Sequence, residues 1–543
     1  MTRSLVKELS SPAFLRPIGL SLFLTGFVFV GADPLSAQCE LDRFEASDGL
    51  SGDSLGSFVA LSGNRAVVAA VNDDEAGTDS GAVFVFEKMS SSWVETAKLT
   101  ASDGAGFDRF GSSVAIDGDR IVVGAPQNDD GGFDSGSAYV FEYNGSSWIE
   151  TAKLTGFDVF FGDFYGINVG VDGNRIIVGA CQAIQFQTFG TGNGKVYVYT
   201  GGGASWNLEQ LLTASDAAAG DRFGAGAALD GTRILVGAEN EDQGGTDAGA
   251  GYVFDLVSGV WTESQKLVAS DAGAGALVGI AVSVSGDHAL LGAPLHKTGS
   301  TSPGAAYLFE FDGATWTEAD KLIASSPLDK DRAGLSVSVD GNLAFVGAHS
   351  VDGSNPGRVL AFTRSTSGSW DEAQSLESPA SVNGDSFGYG VAVEGTRVLV
   401  GARTENSKGA AYEYLWSPAT TQSRNGGANP ASLTAQSLPV QGSTLMLDLD
   451  LAGTTGHSLG GIVAYGSGLS LPLSGGQFLL VNVTDPSGEL FGQPLLPGPV
   501  ASWNLPVPTD ISFCGIGISV QGIHFGGVQP FALSNAIDLV VGA

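Results

Sequence analysis

Residues 456–460 read Gly-His-Ser-Leu-Gly, the spacing of a nucleophile elbow, and Asp485 or Asp510 and then His524 come after it in chain order. In that order an imidazole could take the Ser458 proton while a carboxylate holds the ring, which is the chemistry of acyl transfer. The surroundings oppose it. An elbow joins a buried strand to a long helix, whereas Gly466, Gly468 and Pro472 interrupt the segment after Gly460. No strand–helix alternation precedes the motif, and residues 431–543 are few for such an enzyme. A glycine-rich turn between strands accounts for the same letters, so no catalytic residue is assigned.

Carboxylates form two recurring sets. Asn72-Asp73-Asp74 with Asp79, Asn128-Asp129-Asp130 with Asp134, and Asn240-Glu241-Asp242 with Asp247 share one loop position. Asp53, Asp108, Asp163, Asp221, Asp331 and Asp385 share another, two or three residues before a strand-opening glycine. Grouped oxygens could hold a divalent cation or a basic ligand. Short acidic and amide side chains also cap turns by bonding nearby backbone N–H groups. Because the first set recurs in only some of the chain's internal repeats, turn capping is the expected role. No metal-binding residue and no cofactor are assigned. Cys39, Cys181 and Cys514 are too few and too scattered for a disulfide framework, and no C-x-x-C spacing occurs. Asn144-Gly145-Ser146 and Asn482-Val483-Thr484 are formal glycosylation sequons.

The elements that position these residues are set by an internal repeat. Its clearest copy runs from Phe110 to Pro126, and its turn glycine recurs at Gly63, Gly118, Gly173, Gly231, Gly286, Gly341 and Gly395. Each unit reads as four strands. Val114–Ile116 and Ile121–Val123 flank a two-residue hairpin turn at Asp117-Gly118-Asp119. A third strand runs over Ala138–Phe141, and a fourth carries Trp148 and Lys153-Leu154. Trp93, Trp206, Trp261, Trp316 and Trp370 recur at the tryptophan position, as packing between neighbouring units requires. Four short strands repeated at a fixed period predict a seven-bladed β-propeller. The seventh unit ends at Trp416 without its own Trp…Lys-Leu strand. Leu41–Asp48 matches Lys98–Asp103, so the first strand of the mature N-terminus is expected to complete the last blade.

The Phe110-Gly111 opening and the Gly124-Ala125-Pro126 close resemble the FG-GAP repeat of integrin α-chain propellers and related bacterial secreted proteins. Phe223-Gly224, Phe387-Gly388 and Tyr165-Gly166 repeat the opening, and Gly292-Ala293-Pro294 repeats the close. The resemblance covers residues 39–416 and implies an extracellular propeller used in adhesion or ligand binding. Many members carry a calcium loop within the hairpin. Here the hairpins are tight turns such as Ser-Gly-Asn, Asp-Gly-Asp and Glu-Gly-Thr, too short to wrap a cation that wants six to eight oxygens. The calcium site is therefore not carried over.

Composition limits the partners. The 543 residues include 58 acidic and 25 basic ones, a net charge of −33, which excludes nucleic acid and disfavours anionic membrane surfaces. Arg3, Lys7 and Arg16 precede an apolar run from Ile18 to Val30 and then Leu35-Ser36-Ala37, the pattern of a secretory signal peptide cleaved near Ala37. The run is too short to span a membrane. The expected order is a signal peptide (1–37), the propeller (38–416), a Ser/Thr/Asn/Gly/Pro-rich linker (417–430) and a small β-sandwich-like domain (431–543). The expected function is a non-catalytic, secreted or cell-surface module, monomeric, binding a protein or glycan ligand through propeller loops. A structural envelope protein with a C-terminal attachment or sorting domain is one alternative, and a serine esterase or lipase-like activity at residues 456–460 is another.

Overall fold

A computed structural model describes residues 40–416 apart from 90–91, 182–191, 351–352, 366 and 379–381, and beyond residue 416 the backbone of strands alone. Residues 1–39, with the signal-like segment and Cys39, lie outside the described residues, as do Asp485, Asp510 and Cys514. Among the described residues no helix is long and apolar enough to cross a membrane.

Residues 40–416 form seven four-stranded antiparallel blades around a central axis. Blade 2 is typical, with Ser113–Asp117, Arg120–Ala125, Ser137–Tyr143 and Trp148–Leu154 in spatial order. The first strands of neighbouring blades lie side by side around the axis. Blade 7 draws on both ends of the ring. It contains Phe387–Glu394, Arg397–Ala402 and Ala410–Leu415, and its fourth strand is Glu40–Phe44, with Phe44 opposite Ala411. The seven blades and their four-strand composition agree with the sequence reading.

The core lies between blades rather than within one. Val67, Val83 and Val85 of blade 1 pack with Phe110, Ile121, Val123 and Tyr139 of blade 2 in a single buried cluster. Second strands are covered on both faces, which is why they read as unbroken runs such as Ile-Val-Val instead of alternating. Backbones also meet directly. A Cβ on Gly124 would collide with the carbonyl oxygen of Gly166 in blade 3, and Gly166 itself has φ of 89°. The same collision would occur at Gly179, Gly237, Gly292, Gly347 and Gly401, so the Phe-Gly and Gly-Ala letters mark one inter-blade approach. Beside it, Phe110 N–H donates to Ser80 O at 2.8 Å, and Leu55 N–H to Lys408 O at 2.9 Å closes the equivalent junction between blades 7 and 1.

The hairpin turns clasp one another around the other end of the ring. Each turn glycine donates its N–H to the residue ending the first strand of the preceding blade: Gly173 to Asp117 at 2.7 Å, Gly286 to Asp230 at 2.6 Å and Gly63 to Glu394 at 2.9 Å. The acidic letters of these turns are thus spent on blade-to-blade hydrogen bonds. Outside them, an arginine follows the turn in blades 1, 2, 3, 4 and 7 and stacks on the next blade's tryptophan, while blade 6 has Leu343 there. Arg65 lies 5.2 Å from Trp148, Arg120 4.9 Å from Trp206, Arg233 4.8 Å from Trp316 and Arg397 5.1 Å from Trp93. Blade 5 has His288 at this position, edge-on to Trp370.

Past residue 416 the described backbone forms short antiparallel sheets. Thr420–Arg424, inside the segment read as linker, pairs with Phe531–Val540. His457–Gly466, read as containing a glycine-rich turn, is a ten-residue strand paired with Gly517–Gly526 on one edge and with Phe491–Gly492 and Leu496–Pro497 on the other. Ladders on both edges hold Gly460 and Gly461 extended despite their weak strand preference. Ser432–Ala435, Thr444–Asp450 and Val500–Pro506 form a second sheet, and Leu469–Pro472 pairs with Phe478–Val481.

Candidate functional site

One end of the propeller, here the loop face, carries the loops leaving the second strands and those entering the first strands. Both acidic sets lie on it, and their oxygens are already engaged. Asp53, Asp108, Asp163, Asp221 and Asp385 each accept the backbone N–H three residues upstream, at 2.6–3.0 Å. Asp331 instead accepts from Arg358 at 2.7 Å and Asn355 at 3.0 Å. In the other set Asp74, Asp129 and Asp242 accept the N–H of Asp79, Asp134 and Asp247 across equivalent five-residue turns. Among the described residues no group of three or more His, Cys, Asp or Glu is placed to hold a metal ion.

Lysines close these loops onto the neighbouring blade. Lys266 reaches Asp216 at 2.6 Å and Glu241 at 2.8 Å, and Asp216 also accepts the Tyr252 hydroxyl at 2.8 Å. Lys153, Asp103 and Tyr139 repeat the arrangement. Burial raises the Asp216 carboxyl, and the bonds from Lys266 and Tyr252 outweigh it and hold it below its usual range. Asp216 stays ionised and, with Lys266 and the Tyr252 hydroxyl, ties the connecting loop to the blade.

One part of the loop face is apolar and exposed. Phe133, Phe157, Phe160 and Phe161 are 52%, 75%, 67% and 47% exposed, and Phe133 stacks on Phe161 with centroids 5.6 Å apart. They come from two adjoining loops at the junction of blades 2 and 3, and Gly162 N–H donates to Phe133 O across it at 3.0 Å. Contiguous exposed apolar patches are uncommon on protein surfaces in general and are found at interaction sites. Sequence reading passed over them because an apolar letter near strands reads as core.

A second feature lies nearer the axis. His349, at the end of the second strand of blade 6, is 7% exposed, and its ring centroid is 5.0 Å from that of Tyr389. Burial, then the charges of Arg403 and Arg332, push the imidazole from its ordinary 6.5 down to about 4. The folded state thus binds fewer protons than the unfolded one between these values, so this contribution to stability is lost as pH falls from 6.5 to about 4. The loss is about 3 kcal/mol at 1.36 kcal/mol per unit. Urea titrations at pH 7 and pH 4 are expected to show His349→Gln losing less stability than the unmodified chain by roughly that amount. Equal losses would refute the assignment.

Ser458 lies on an extended strand, at an irregularity between His457 and Leu459 in the pairing with Gly517–Gly526, whereas an elbow requires a strand-to-helix turn. His524 stands opposite Gly460 in the same ladder, and the Asp485 and Asp510 positions lie outside the described residues.

Several known structures are similar to this chain at low identity. An acylaminoacyl peptidase from Pyrococcus horikoshii aligns at 9% identity and a TM-score of 0.39, over 73% of this chain and 57% of that one. The chain thus spans little more than half the length of that peptidase. The β-propeller domain of the Trilobed protease from Pyrococcus furiosus aligns at 9% identity and a TM-score of 0.37, over 66% of this chain and 94% of that domain. No curated protein matches. The model of the FG-GAP repeat matches seven times, at residues 40–86, 93–141, 148–199, 206–254, 261–309, 316–362 and 370–414. Each segment holds the fourth strand of one blade and the first three of the next, so the seven run one strand out of step with the blades; together they span more than half of the chain, which belongs to the FG-GAP repeat family.

Proposed function

We propose that the chain is an exported, non-catalytic interaction module that binds a protein or glycan ligand through the loop face of its propeller. One observation carries the reading: the four exposed phenylalanines at the junction of blades 2 and 3, on a face whose carboxylates are committed to turns and lysines. The basic, then apolar, then small-residue pattern of residues 1–37 supports export. An apolar patch in a surface of high negative charge gives contact area to a ligand while the charge discourages self-association.

The test immobilises the purified chain against a glycan array and cell-surface extracts, with and without calcium. A variant carrying Phe157→Ser and Phe160→Ser is expected to bind at least tenfold more weakly. Its urea midpoint should be unchanged, because both side chains are largely in solvent. Full binding by this variant would reject the surface, and binding that requires calcium would reject the metal-free reading.

A further inference from the structure

Blade 4 contains a pair that blade 6 does not reproduce. Arg222 precedes Phe223-Gly224 and Glu239 comes directly after Gly237-Ala238, and their side chains meet at 2.5 Å. The equivalent positions in blade 6 are Arg332, before Ala333-Gly334, and His349, after Gly347-Ala348. An imidazole thus stands where blade 4 supplies the carboxylate. Blade 7 places a further cation, Arg403, at that same position.

Among the described residues, the other arginines of the propeller each lie within ion-pair distance of a carboxylate, while Arg332 and Arg403 do not. In a chain of net charge −33 this is a marked exception. The carboxylates nearest in sequence are used elsewhere. Asp331 bonds Arg358, Asp385 caps the Val382 amide, and Glu405 accepts from Arg43 and Tyr412. His349 Nδ1 and Arg403 Nε are buried without a hydrogen-bond partner, a costly arrangement unless an anion joins them. Aromatic rings adjoin the cations. The Arg403 guanidinium lies 3.9 Å from the Tyr389 ring centroid, and Phe58 of blade 1, 37% exposed, meets Tyr389 edge-on at 6.2 Å.

We propose that Arg332, Arg403 and His349 bind the carboxylate of an acidic sugar at the axial end of the loop face, with the sugar ring against Tyr389 and Phe58. The carboxylate would take the part that Glu239 plays toward Arg222 in blade 4. Paired guanidinium groups suit it by charge and by hydrogen-bond geometry. Flat aromatic faces suit the C–H face of a sugar ring. The site is separate from the phenylalanine patch and does not depend on it.

The chain has five histidines, so selective 13C labelling of their rings gives a spectrum that His349→Gln can assign. Titration of the full chain with D-glucuronate is expected to move the His349 signal saturably, and equal concentrations of D-glucose should leave it in place. His349→Glu restores the blade 4 pair within the chain. It is expected to keep the urea midpoint and to weaken glucuronate binding at least tenfold, read by calorimetry. Arg403→Gln should weaken it similarly. A glucose response equal to that of glucuronate, or unimpaired binding by His349→Glu, would overturn the site. A response to N-acetylglutamate amide in place of glucuronate would overturn the sugar assignment in favour of an acidic side chain.

Discussion

Replacement of Glu413 by alanine is expected to cost about 3–5 kcal/mol, the range for breaking a buried ion pair from one side. Glu413 lies on the third strand of blade 7, opposite Asp42, and is fully buried. It accepts from Arg397 Nε of its own blade at 2.7 Å and from Lys88 Nζ and Trp93 Nε1 of blade 1, both at 2.8 Å. One carboxylate thus pairs with two cations across the junction that closes the ring. Burial pushes its pKa up, and the three hydrogen bonds outweigh this and hold it below the usual value. The contribution is therefore present at neutral pH and is lost as pH falls through the folded pKa. All tryptophans but Trp503 lie in residues 40–416, so urea denaturation monitored by tryptophan fluorescence reports on the propeller. Glu413→Gln, which keeps an acceptor, should lose less. A loss below about 1 kcal/mol for Glu413→Ala would mean that Lys88 and Arg397 find other partners at little cost.

Phe44→Ala is expected to be comparably damaging, at about 3–5 kcal/mol for an aromatic side chain removed from a core. Phe44 is 1% exposed and sits edge-on to Phe86 at 5.0 Å and tilted on Trp93 at 5.3 Å. Phe86 and Trp93 belong to blade 1, whereas Phe44 lies on the strand that completes blade 7. The side chain therefore anchors a five-residue strand and fills the gap between the two blades where the ring closes. Because Phe44 and Glu413 both contact Trp93, the double variant should lose less than the sum of the single losses. Urea midpoints of the two single variants and the double variant measure this coupling. Strict additivity would show that strand and carboxylate hold the junction independently.

The repeat made the architecture legible. Glycines at one turn position marked the hairpins, and Phe-Gly with Gly-Ala marked the strand ends because backbones meet there and a Cβ would collide. Turn capping by the acidic residues could also be read, since each bond from Asp53 to Leu50 or from Asp108 to Ala105 is local in sequence. Contacts made across blades could not. Arg65 on Trp148 and Lys88 on Glu413 join positions far apart in the chain, and no spacing within one repeat announces them. The exposed phenylalanines were hidden for a different reason, since burial is a property of the folded surface. Phe157 and Phe110 are the same letter, one 75% exposed and the other 1%. The Gly-His-Ser-Leu-Gly letters fall on a strand with pairing on both edges, and such pairing is set by partners far away in the chain and not by the local turn preference of glycine.

The central claim is that ligand contacts the loop face. Amide hydrogen–deuterium exchange of the full chain, with and without a ligand selected on the array, tests it most directly. Slowed exchange is predicted in residues 126–136 and 155–166, which carry the four phenylalanines, with no change at the hairpin turns around Gly118 and Gly173. Protection at those turns, with the two loops unaffected, would contradict the account.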